Sequence, residues 1–291
     1  MNIKKFIIDK IKNIKKTDKP TIIGIDGPTA AGKTFLSKDL KLLLKKDFKT
    51  IWICQLDWTL KSRAYRTNSL KLFKNENTNF YYESQDHMDL AQIKKTLNRI
   101  NEFDYIKNQS INVSLKGLYN RDTATNNLSV STKISKESLI IVEGHYTSIT
   151  ELDGVIDYNI LLLAEKKELL KRKINRVKHY RNNEDTKQYF NLIDVPSFIN
   201  HLSLFGCNYD LIVDNTDYKN PRIKDENYIH SWMKKLTGKE NSSSNRYEDF
   251  IKKNFYSNLT NQLNFKSSFK IIIDEFINFD KFVSNNIKIN I

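Results

Sequence analysis

Short apolar runs alternate with longer stretches of helical periodicity along most of the chain. The runs TIIGI (21–25), TIWIC (50–54), LIIV (139–142), YNILLLA (158–164) and DLIV (210–213) are almost wholly apolar. Strands buried on both faces read this way, and their alternation with helices points to a parallel sheet covered by helices. Between the first two runs, Lys33 to Lys46 places Phe35, Leu36, Leu40, Leu43 and Leu44 on one side of a helix. At the start of the chain Ile3, Ile7, Ile11 and Ile14, with Phe6 alongside, recur at the same spacing with lysines between them. Such a helix packs on the flank of a domain. A membrane-surface helix also carries a basic face beside an apolar one.

The interval from Trp58 to Ser138 holds one helical pattern, around Leu90–Ile100. It is followed by a Ser/Thr/Asn-rich section, Ser110 to Ser135, with short β-like pieces. An insertion of this kind is expected over the C-terminal edge of the sheet, where open α/β folds bind ligands. LTGKENSSSNR (236–246) reads as a linker, and Tyr247–Leu259 beyond it as a helix. The expected organisation is a domain over 1–225, opened by the amphipathic helix within 1–19, and a C-terminal extension over 226–291. The extension could cover a flank or make a contact between copies in a homo-oligomer.

With 291 residues the chain can bury one α/β core and carry an appendage. Its two cysteines, Cys54 and Cys207, lie far apart without metal-type spacing and read as reduced thiols of a cytoplasmic protein. No apolar run approaches the roughly 20 residues of a spanning helix. The basic N-terminus lacks the apolar core and cleavage site of a secretory signal. The formal net charge is +14, but the lysines are spread along the whole chain instead of forming a patch. No nucleic-acid partner is expected; positive charge equally suits small polyanionic ligands.

One stretch carries specific chemistry. GIDGPTAAGKT (24–34) follows an apolar run and leads into a helix pattern. Gly27, Pro28, Thr29, Ala30, Ala31, Gly32, Lys33 and Thr34 match G-x-x-x-x-G-K-[ST], the phosphate-cradling loop, with Phe35 next in line. The glycines let successive N–H groups face phosphate oxygens, and the helix start adds its partial positive charge. Lys33 should reach the β- and γ-phosphates of ATP, and the Thr34 hydroxyl should ligate Mg²⁺. A guanine-reading N-K-x-D is absent, and the third run ends in one acid, Glu143, before Gly144. That favours a small-molecule kinase over a GTPase or motor. Asp57, just past the second run, could take the proton of an acceptor hydroxyl; a helix cap or turn aspartate fits the same position.

Taken in order, these blocks resemble the uridine kinases and their relatives in the phosphoribulokinase/uridine kinase group. CQLDWTL (54–60) is similar to the family's post-strand segment with the general base, here Asp57. YYESQDHMDLAQI (81–93) looks like the segment that holds the acceptor's hydroxyls, with Glu83 in the place of an aspartate. IVEGHYT (141–147) matches the strand end whose Glu143 assists Mg²⁺, and KRKINRVKHYR (171–181) looks like the arginine-bearing lid, placing Arg172, Arg176 and Arg181. VPSF (195–198) and YDLIVDN (209–215) match the segments after it, so the resemblance spans roughly 20 to 220.

The chain also departs from that pattern. Leu60 replaces an aromatic and Val177 the lid's usual aspartate. GLYNRDTATNN (117–127) keeps Tyr119 of the nucleoside clamp but has Ala124 and Asn126 in place of its His and distal Arg. Arg121 could instead bind an acidic group on a different acceptor, or be a surface arginine.

The resemblance implies a P-loop kinase fold, a five-stranded parallel sheet with helices on both faces and an Arg-bearing lid. It implies an ATP- and Mg²⁺-dependent transfer to a small-molecule hydroxyl, uridine or cytidine first. Asp57 would act as base, Glu83 and Tyr119 would orient the acceptor, and Arg172 and Arg176, sharing a helix face, would close over the transferring group. A kinase for a sugar or sugar phosphate is the runner-up, and a nucleotide-sensing protein without transfer is the rival from another class.

Overall fold

The structure is a computed structural model, and it describes residues 3–62, 65–66, 87–120, 123–148, 152, 154–179, 181–205 and 209–236. The chain divides into two compact units, Met1–Leu236 and Thr237–Ile291. The second unit, with the helix expected over Tyr247–Leu259, lies outside the described residues, as do Glu83, Arg121 and Cys207.

The first unit opens with α1 (Ile3–Asn13), β1 (Thr21–Asp26), α2 (Lys33–Leu43) and β2 (Thr50–Gln55), and β2 runs into a 3₁₀ turn, Leu56–Thr59. Next come α3 (Ala91–Glu102) and the paired strands β3 (Ser110–Asn120) and β4 (Thr125–Ser135), then β5 (Ser138–Glu143) and β6 (Tyr158–Leu163). The remainder is α4 (Lys166–Val177), α5 (Asn183–Tyr189), a π-helical segment Phe190–Asp194, α6 (Val195–Phe205), β7 (Leu211–Asp214), β8 (Arg222–Lys224) and α7 (Asn227–Leu236).

The sheet order is β2-β5-β1-β6-β7-β8. The first five strands are parallel, as their apolar runs predict; β8 is antiparallel to β7 and was not legible as a strand. All residues of β1 and β5 are buried. The register sets Ile25 and Gln55 on either side of Glu143. The ends of β1, β2 and β5 therefore open onto one edge, and the site is built there.

The apolar face of α1 is taken up by the domain itself: Ile3, Ile7 and Ile11 are buried, with Lys4 on Asp39 and Lys12 on Asp47 beside them. The stripe on α2 is narrower than the sequence suggests. Leu40 and Leu44 are buried, while Leu43 is exposed and Phe35 is 80 % exposed. The Ser/Thr/Asn-rich section is one long antiparallel hairpin with a bulge at Gly117, not a set of short pieces. Its apolar alternation, Ile111, Val113 and Leu115, shares a core with Ile93 and Leu97 of α3 and with Trp52, Cys54 and Leu56. Burial there pushes the Cys54 thiol well up, leaving it unreactive.

α5, the π-helical segment and α6 form one uninterrupted helical run from 183 to 205. Asn182 caps it, its Oδ1 accepting the Asp185 N–H at 2.8 Å. Asp194 in the π-helical segment holds Lys173 of α4 in a buried ion pair. The Lys173 ammonium also lies over Tyr189, and the Arg181 guanidinium faces the same ring, each 4.6 Å from its centre. Among the described residues no helix is long and apolar enough to cross a membrane.

Candidate phosphate-binding site

The loop from β1 to α2 turns on positive backbone angles, with φ of 150° at Gly27, 63° at Ala30 and 104° at Gly32. A Cβ at Gly27 would stand 2.3 Å from the Leu162 carbonyl oxygen, and one at Gly32 would meet the Asn215 amide at 2.7 Å. Close approach to backbone demands glycine at Gly27, whereas at Gly32 the Asn215 side chain could move and the positive φ makes the demand. Because α2 begins at Lys33, its unbonded N–H groups and the positive end of its dipole face the loop.

Lys33 Nζ donates to the carbonyls of Gly27 at 2.6 Å and Pro28 at 2.9 Å. Burial lowers its pKa to about 8, against the opposing pull of Asp57, Asp26 and Glu143 and with Arg176 adding to the fall. An ammonium held at a loop lined by amide donors is a prepared anion site. Thr34 Oγ1 lies 3.1 Å from each carboxylate oxygen of Glu143, and Gln55 Nε2 donates to the same carboxylate at 2.9 Å. Burial raises the Glu143 pKa, while Lys33 and the Thr34 bond hold it down.

A hydroxyl and a carboxylate converging beside the anion site fit Mg²⁺, which takes one or two protein oxygens and completes its shell with phosphate and water. Among the described residues no group of three or more His, Cys, Asp or Glu is placed to hold a metal alone. The donor set thus suits a metal that arrives with a nucleotide.

Asp57 lies in the 3₁₀ turn directly after β2, where Thr59 Oγ1 bonds back to the Leu56 carbonyl at 2.7 Å. Its charge is felt by Lys33, Glu143 and His145, which places the carboxylate in the same cluster. His145, just past Glu143, has its pKa pushed down to about 3, first by burial and then by Lys33. It is a neutral imidazole at ordinary pH.

The two arginines expected on a lid have different partners. Arg176 donates from Nη2 to Thr29 Oγ1 at 2.9 Å and so reaches the loop. Arg172 pairs with Glu168 at 3.0 Å and donates to the carbonyls of Asn215 and Thr216, both at 2.8 Å. Asn215 in turn donates to the Ala31 carbonyl at 2.8 Å. Arg172 thus braces the strand-end segment that packs on the loop.

Tyr119 is buried near the end of β3, with the Arg66 guanidinium 4.9 Å above its ring. Asn126 donates to the Leu60 carbonyl at 3.1 Å, tying the hairpin to the segment after Asp57. Phe35 stands beside the loop with its ring in solvent. Sequence reasoning passed over Arg66, Asn215, and Asp26 with its partner His201. Asp26 immediately precedes the motif, but its partner lies 175 residues on, so no local spacing could have signalled the pair.

No protein-family model matches the chain, and no curated protein matches it in sequence. Solved structures do match in fold. A possible uridine kinase from Bacillus stearothermophilus aligns at 17 % identity with a TM-score of 0.50, over 72 % of this chain and 96 % of that one. D-glycerate 3-kinase from Cryptococcus neoformans aligns at 10 % identity with a TM-score of 0.51, over 77 % of this chain and all of the other (100 %). Together with the parallel sheet and the glycine-bounded loop, these likenesses give the first unit the α/β fold of the P-loop kinases.

Proposed function

We propose that the protein is an ATP- and Mg²⁺-dependent phosphotransferase acting on the hydroxyl of a small molecule. The observation that carries this reading is the convergence of Lys33, Thr34, Glu143 and Asp57 at one edge of the sheet. A site that only sensed a nucleotide would need the first three and not the fourth.

The roles follow from the chemistry. Loop amides and Lys33 hold the triphosphate, and Lys33 leaves its resting carbonyls for the phosphate oxygens. Bound through Thr34 and Glu143, Mg²⁺ supplies charge neutralisation at the phosphates. Asp57 accepts the acceptor's proton as its oxygen bonds to the γ-phosphorus. The bond from that phosphorus to the bridging oxygen breaks, and ADP leaves with the electron pair. Arg176 donates to the transferring group and keeps water away. Arg172 serves the same lid by bracing Asn215. Glu83 and Tyr119 would orient the acceptor.

Uridine or cytidine is the first acceptor to test. A sugar or sugar phosphate is the second, favoured by the commitment of Asn126 to the Leu60 carbonyl at the place where a nucleoside clamp would need a free side chain. Acceptor-dependent ADP release over a panel of nucleosides, sugars and sugar phosphates tests both. Release that rises with one acceptor class identifies it, and ADP release indifferent to every acceptor counts against transfer.

A further inference from the structure

Asp26 is the last residue of β1 and immediately precedes Gly27. Its side chain is fully buried, at 0 % exposure. One carboxylate oxygen accepts the Gly27 N–H at 2.7 Å. The other accepts the Thr147 N–H at 3.1 Å, the His201 Nε2–H at 2.9 Å and the Tyr209 hydroxyl at 2.9 Å. Burial alone would raise its pKa, but the pairing with His201, together with the other positive groups nearby, Lys33 among them, more than offsets that, and the carboxyl stays ionised far below its usual range. A buried carboxylate with so many donors is costly to build and is kept for what it orients.

What it orients is the start of the phosphate loop. The bond to Gly27 N–H fixes the peptide after Asp26, and with it the direction in which the glycine-bounded turn leaves the sheet. Its partner His201 lies on α6, the end of the helical run that begins at the lid and is anchored to α4 by the Asp194–Lys173 pair. The loop is therefore held by α4, through Arg176 on Thr29, and by α6, through His201 on Asp26. Tyr146, at the strained angle φ 76°, packs edge-on against the His201 ring at 4.6 Å and holds it toward the carboxylate.

We propose that Asp26 and His201 are positioning residues of the triphosphate site, setting the loop's amides for phosphate and making that setting depend on the helix that follows the lid. The proposal rests on the reading of residues 27–34 as a triphosphate cradle. A network that served stability alone would lower the melting temperature when cut but leave nucleotide affinity unchanged.

The test measures ATP binding by calorimetry with Mg²⁺, alongside the ligand-free melting temperature, in wild type, His201→Met and His201→Gln. Loss of the ring donor in H201M should weaken ATP about tenfold, the size of an ordinary coupling between linked groups, and H201Q, which restores an N–H of similar reach, should recover most of it. H201M with wild-type ATP affinity overturns the proposal, whatever its melting temperature. Should H201M fail to fold, Tyr209→Phe removes one donor to the same oxygen: an affinity loss of about threefold or more supports the proposal, and unchanged affinity overturns it. Wild-type protein that binds no ATP overturns the cradle reading, and this proposal with it, a result separated from the others by the wild-type control.

Discussion

In the proposed kinase, the phosphate-donor side and the acceptor side of the site are built in different ways. On the donor side, eight contiguous residues, Gly27 to Thr34, supply nearly everything, and the strand ends add Glu143 and Gln55 within hydrogen-bond distance. On the acceptor side, Asp57, Tyr119, Arg66 and Asn126 come from separate elements: Arg66 lies over the Tyr119 ring, and Asn126 ties the hairpin to Leu60 after the 3₁₀ turn. Backbone amides bind phosphate alike whatever the rest of the molecule carries, so the donor side is generic. Selectivity has to come from side chains, and it sits where the chain is least repetitive.

Variants can sharpen or break that division. The largest effect is expected at Asp57, where the two sides meet. Asp57→Asn keeps the shape but removes the proton acceptor, so kcat should fall by about 10²- to 10⁴-fold while ATP affinity stays near wild type. If Asp57 were only a turn residue, asparagine would serve nearly as well, and kcat would barely move. Lys33→Ala should lower kcat by about 10²- to 10³-fold and weaken ATP as well. Its melting temperature should hold or rise, because among the described residues Lys33 donates to carbonyls of its own loop, and burial opposes its charge. Thermal unfolding beside steady-state kinetics checks both halves of that statement.

The lid arginines should separate next. Arg176→Ala removes a charge-assisted donor from the loop side and should cost roughly 10- to 100-fold in kcat. Arg172→Ala should act mainly on ATP affinity, because it releases the Asn215 carbonyl and loosens the segment resting on Ala31. Equal losses of kcat in the two variants would contradict the assignment of different partners.

The fold was legible where burial imposes a pattern. Five apolar runs gave the five parallel strands, because a strand covered on both faces has no polar positions to interrupt it. β8, three residues at an edge, left no such trace. The exposure of Phe35 and Leu43 was hidden for the opposite reason: of the apolar residues on α2 and its C-cap, Leu40 and Leu44 are the ones fully buried, and those beside them look alike in sequence. The phosphate loop was legible because close backbone approach fixes glycines at set spacing. Asp26–His201 and Arg66–Tyr119 were not, since each joins residues far apart in the chain, and the expected roles of Glu83 and Arg121 fall outside the described residues.

A smaller effect concerns protons. Free Lys33 has its pKa lowered to about 8 from 10.5, so folding opposes its charged form below pH 8, and that cost is relieved as pH rises from about 8 toward 10.5. Phosphate oxygens replacing its resting carbonyls should raise the pKa again. ATP binding should then take up part of a proton above about pH 8 and almost none one or more units below. Calorimetry in buffers of different ionisation enthalpy reads this directly, and proton release over that range would contradict the placement of Lys33 on the phosphates.

Phosphorus NMR of a single reaction tests the central claim, that the edge of the sheet transfers phosphate to a hydroxyl. The purified protein is incubated with ATP, Mg²⁺ and a mixture of nucleosides, sugars and sugar phosphates, with Asp57→Asn in parallel. The account predicts loss of the γ-phosphate signal, growth of ADP and growth of a new phosphomonoester signal, all suppressed in the variant. Conversion of ATP to ADP and inorganic phosphate alone, at the same rate in both proteins, would contradict it.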